Sequence, residues 1–81
     1  MKIYLLSQDY NTGYDTYDSC VVCAKNEDDA KKITPYGREF EEGDGYGGAW
    51  AIKLSQITCE ELGNANKNQK RGLIVASFNA G

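Results

Sequence analysis

The chain contains no histidine. Acyl transfer of the Ser–His or Cys–His kind therefore lacks its usual general base, and only carboxylates and lysines remain for that work. Cysteine occurs three times, an odd number that fits a reducing compartment better than a disulfide framework. Basic residues are few: nine Lys and Arg against twelve Asp and Glu leave a net charge of -3 and no patch to neutralise phosphates, which argues against a nucleic-acid binder. No apolar run approaches the roughly 18 residues of a membrane span, and the opening segment lacks the apolar core and cleavage site of a secretory signal. Zinc, haem and nucleotide-binding fingerprints are missing as well, so no cofactor and no metal is expected. These absences point to a non-enzymatic protein of the cytoplasm, without a membrane or nucleic-acid partner.

What is present is enough for one domain, residues 1–81, and for a thin core. A chain of 81 residues buries only roughly 60–65% of the surface that its unfolded form exposes. Residues 2–8 are strand formers, with Ile3 and Leu5 on one side and Tyr4 and Leu6 on the other. Residues 9–16 supply Asn11, Gly13 and two Asp, the chemistry of a reversing turn. A second strand over 17–25 puts Val21 and Cys23 on one face and Cys20, Val22 and Ala24 on the other. Cys20 and Cys23 spell C-x-x-C, but residues three apart on a strand point to opposite faces and cannot grip one metal.

Residues 26–33 carry a helix-start signal: Asn26 to cap, three acids in the first turn, basic residues in the last. Pro35 ends that helix, because it disfavours helical geometry at Thr34. Residues 36–48 form a long glycine-rich loop around Arg38, Phe40 and Tyr46. The alternation of Trp50 and Ile52 predicts a third strand over 49–54, with 56–62 either prolonging it past a bulge or turning. A polar connection over 63–72 leads to the clearest strand, 73–78. The order ββαββ predicts an α+β fold, a mainly antiparallel four-stranded sheet with one short helix on one face. Apolar residues on both faces of the strands, against one short helix, predict a homo-oligomer.

The opening MKIYLL, the GYDTYDS motif at 13–19, the segment 24–35 and the closing ASFNAG at 76–81 together resemble a family of small bacteriophage and prophage proteins. The resemblance spans nearly the whole chain and departs from the family's pattern at Thr34, where a His would precede the proline. It implies a setting, the cytoplasm of an infected host, and a class that includes inhibitors of host defence.

Binding suits the residues better than catalysis. Tyr14, Tyr17, Tyr36, Tyr46 and Trp50 offer flat amphipathic rings, and Arg38 offers a fork for phosphate or carboxylate. Asp15 and Asp18 can accept ribose hydroxyls. The predicted site lies where the loop at 14–18 meets the loop around Arg38 and Trp50, since loops held by rigid strands carry recognition. Its residues are Tyr14, Asp15, Tyr17, Asp18, Tyr36, Arg38 and Trp50. The expected function is anti-defence by sequestration of a small nucleotide-like ligand; the alternative is direct inhibition of a host defence protein through a Tyr/Trp-rich surface.

Overall fold

The first strand forms where the strand formers stand. In the computed structural model, which describes residues 1–42 and 49–79, β1 is Lys2–Gln8. Tyr4, Leu6 and Gln8 are buried, while Ile3, Leu5 and Ser7 are only half-buried. The chain reverses through Gly13, whose φ of 132° favours glycine, and Asp15, whose φ of 62° is left-handed. β2, Thr16–Ala24, then pairs antiparallel with β1, setting Lys2 opposite Ala24 and Leu6 opposite Cys20.

The helix begins as its cap predicts and is shorter than 26–33. α1 is Glu27–Lys31, and the Asp29 N–H donates to Asn26 Oδ1 at 2.8 Å. Three acids, Glu27, Asp28 and Asp29, fill its first turn. Beyond it Ile33 bridges antiparallel to Glu39 around Pro35, and the Thr34 N–H and hydroxyl both donate to Arg38 O, at 3.0 and 2.9 Å. The tightness of that bend is possible because Gly37 takes φ 82°.

Residues 49–54 are not a strand. Ala49, Trp50 and Ala51 are buried in irregular backbone, and a 3-10 turn, Leu54–Gln56, follows. Specific partners replace a ladder: Gln56 Oε1 accepts from the N–H groups of Ile52 and Lys53 at 3.0 and 3.1 Å, and Ala49 O accepts from Tyr17 N–H at 2.8 Å. The third strand lies later, at Ile57–Asn64 (β3), covering most of the stretch whose state the sequence leaves open. Apolar alternation at Trp50 and Ile52 reports burial against the core, which irregular backbone supplies as well as a strand does. β4 is Gly72–Asn79.

The four strands form one antiparallel sheet in the order β3-β1-β2-β4. This is the predicted α+β architecture, with one short helix against one face. On that face Tyr4, Leu6, Cys20, Val22 and Ala24 pack with Ala30, Ile33, Trp50, Ala51 and Ile57. Among the described residues the opposite face has no helix. Strand register places Ile3, Leu5, Val21 and Val75 there, the last 57% exposed. Cys20 and Cys23 do point to opposite faces: Cys20 joins the core cluster, and Cys23 lies outside it with Sγ 4.0 Å from Gln69 O.

One ion cluster fastens the ends of the fold. Arg71, just before β4, donates to both Asp29 carboxylate oxygens of α1 at 2.9–3.1 Å and to Glu39 at 2.8 Å. Among the described residues no helix is long and apolar enough to cross a membrane.

Candidate functional site

The site is built outward from the start of β2. Gln8, buried at the end of β1, donates through Nε2 to Asn11 O at 2.7 Å and Tyr17 O at 2.9 Å, and its Oε1 accepts from Asn11 N–H at 2.7 Å. Asn11 Nδ2 donates in turn to Trp50 O at 3.5 Å. From the other side, the end of β4 holds the tip of the turn: Asn79 Nδ2 donates to Gly13 O at 2.7 Å, and Asn79 O accepts from Asp15 N–H. Thr16 Oγ1 closes the turn on Gly13 O at 2.9 Å. A turn held by β1, β4 and the loop before β3 has little freedom left, so the side chains that it carries are pre-positioned.

Three rings and one guanidinium converge beside it. Tyr17, at the base of β2, meets Tyr36 edge-on, with centroids 5.2 Å apart and planes at 75°. Its ring also contacts Phe78 on β4 at 4.8 Å and 58°. Arg38 lies over the Tyr36 ring, its Cζ 5.7 Å from the centroid, a cation–π geometry. Tyr17 and Tyr36 are half-buried, whereas Arg38 is exposed and Phe78 is 47% exposed. The platform therefore rests on the core and opens to solvent at the β4 edge. The bend through Pro35 and Gly37 carries Tyr36 and Arg38, two residues apart.

The sequence-predicted residues divide into three groups. Tyr17, Tyr36 and Arg38 are brought together. Tyr14, 77% exposed, and Asp15 sit on the turn, and Asp18 is an exposed extra residue where the β2–β4 register shifts between Tyr17 and Ser19. Trp50 is elsewhere in kind: it is 0% exposed, within the core cluster, and presents no ring face to a ligand. Its indole Nε1 is buried without a hydrogen-bond partner among the described residues. Tyr46 and the glycines from Gly43 to Gly48 lie outside the described residues. Phe78 is the ring that sequence reasoning missed, because its contact with Tyr17 follows from β4 pairing with β2, and nothing local specifies that neighbour.

Burial leaves the Cys20 and Cys59 thiols quiet. Burial pushes the Cys20 thiol up to about 12 and raises that of Cys59, so both stay protonated at neutral pH. Among the described residues no three His, Cys, Asp or Glu are grouped to hold a metal ion. The arrangement brings together aromatic rings, a guanidinium and exposed carboxylates. No protein-family model, curated protein or solved structure matches this chain.

Proposed function

We propose that the protein is a phage accessory factor that counteracts host defence by binding a small nucleotide-like signal stoichiometrically, as a homo-oligomer in the host cytoplasm. The observation that carries this reading is the Tyr17–Tyr36–Phe78 platform with Arg38 over its outer ring. A nucleobase gains about 1–3 kcal/mol per aromatic stacking contact, and a charge-assisted bond from Arg38 to a phosphate edge adds about 1.5–3 kcal/mol. Near the upper end of those ranges, two stacking contacts and that bond reach the roughly 8 kcal/mol of micromolar affinity. The surroundings narrow the ligand. Asp15, Asp18, Glu41 and Glu42 are all exposed on the same segments, which disfavours a polyphosphate and favours a ligand of low charge bearing ribose hydroxyls.

Titration with linear and cyclic adenine and guanine nucleotides tests this. At least one should raise the melting temperature of the wild type, by an amount set by ligand excess over Kd, and should leave Arg38→Ala unmoved. Arg38→Ala itself should melt close to the wild type, since its side chain is exposed.

The second reading, inhibition of a host defence protein by direct contact, draws on Tyr10 and Tyr14, which are 54% and 77% exposed on the same turn. It predicts that no nucleotide shifts the melting temperature and that a host protein co-purifies.

A further inference from the structure

An antiparallel sheet of four strands has two edges, and here they differ in kind. β3 carries Glu60 and Glu61, both exposed, and charge on an edge strand resists pairing with another chain. β4 carries the sequence GLIVASFN, with no charged residue and no proline. It is eight residues long, and Ile74, Val75 and Phe78 on it are 42%, 57% and 47% exposed. Among the described residues no hydrogen bond from outside the sheet reaches residues 72–78. An unguarded edge of this length is a template for another strand.

The strand's own irregularity says which part is suited to pairing. The register with β2 slips between Val22–Leu73 and Val21–Val75, so Ile74 is an extra residue that bends β4 near its start. The second slip, between Tyr17 and Ser19, places its extra residue on β2 and leaves β4 regular from Val75 to Asn79. The middle of that regular run is Ser77, which is exposed.

The geometry points to a twofold dimer in which β4 pairs antiparallel with β4 of a second copy about Ser77, joining two sheets into one and two aromatic platforms into a single site. A second copy suits this edge better than an unrelated strand does. The segment is uncharged, so self-pairing sets no like charges opposite one another, whereas self-pairing of β3 would bring Glu60 and Glu61 together. Centring on Ser77 sets Phe78 across from the partner's Ala76, a small residue that leaves the ring room. The two Phe78 rings then stand diagonally across the axis on the covered face, each continuing to its own Tyr17 and Tyr36. The open side of each platform is thereby walled by the other copy. The pairing stands on the edge alone; the merged site rests also on the ligand reading above.

Ser77 lies on the axis, so a charge there meets itself. The wild type should sediment at twice the 9.0 kDa of the single chain. Ser77→Glu and Ser77→Lys should each sediment as folded monomers, and an equimolar mixture of the two should recover the dimer mass. Ser77→Cys should form a disulfide-linked dimer on mild oxidation, because Cα atoms across an antiparallel pair are about 4.5 or 5.5 Å apart, inside the roughly 4.4–6.8 Å that a disulfide spans. Thr58→Cys, exposed on the opposite edge, should not. A wild type that stays monomeric at tens of micromolar, or a Ser77→Cys protein that cross-links no faster than Thr58→Cys, overturns the pairing. A Ser77→Glu monomer that binds a nucleotide as tightly as the wild type overturns the merged site. A dimer that binds no nucleotide upholds the pairing and counts against the ligand reading alone.

Discussion

Trp50 is the residue whose surroundings decide most about the fold. It is the only tryptophan in the chain, it is fully buried, and it packs among the side chains that the sheet and α1 contribute to the core. At about 0.05–0.15 kcal/mol per residue, 81 residues hold a total stability of about 4–12 kcal/mol. Truncating a buried Trp to Ala costs about 3–5 kcal/mol, so Trp50→Ala should remove a large part of that total and lower the midpoint of urea unfolding accordingly. Iodide should leave the native fluorescence nearly unquenched and quench the unfolded chain freely; equal quenching in the two states would contradict the burial. Tyr36 and Arg38 belong to the opposite class. Arg38 is exposed and Tyr36 half-buried, so Arg38→Ala should alter binding with little effect on the fold, and Tyr36→Ala should cost less stability than Trp50→Ala.

At the scale of elements, how much the residues declare depends on whether their signals are local. The strands at 2–8, 17–25 and 73–78 and the start of α1 are legible because strand formers, a turn containing Gly13 and an Asn cap act on their own neighbours. β3 is not legible, because an exposed edge strand bearing Glu60, Glu61 and Gly63 lacks the apolar pattern, while the Ala49–Ala51 run has that pattern and is no strand. The site is split in the same way. Tyr17, Tyr36 and Arg38 stand out as rings and a cation on loop-rich segments, but the arrival of Phe78 and the withdrawal of Trp50 depend on contacts across the whole chain. The cluster of Arg71 with Asp29 and Glu39 is equally long-range, and it has a pH signature. Hydrogen bonds from Arg71 hold the Asp29 carboxyl below its ordinary value of 3.8. A depressed folded value stabilises the fold above the unfolded value and loses that effect as pH falls through the folded one. The pair is partly exposed, so solvent screening limits it to about 1 kcal/mol. Arg71→Gln should therefore be less stable than the wild type at neutral pH by about that amount, and the gap should close as the pH falls below the ordinary carboxyl value of 3.8. Urea unfolding at a series of pH values measures it, and a gap independent of pH would assign the role of Arg71 to packing.

At the scale of the whole molecule, one sheet face is covered by α1 and two loop segments, and the aromatic platform opens at the unguarded β4 edge of that same face. On the function proposed above, this platform holds a small nucleotide-like ligand rather than a protein. Native mass spectrometry of the protein purified from cells that express it tests that reading, because one spectrum reports subunit number, retained small molecule and retained partner. The expected spectrum shows a dimer mass, twice 9.0 kDa, plus a stoichiometric adduct of nucleotide size that is lost in Arg38→Ala. A spectrum showing the protein bound to another polypeptide, with no small-molecule adduct, would contradict it.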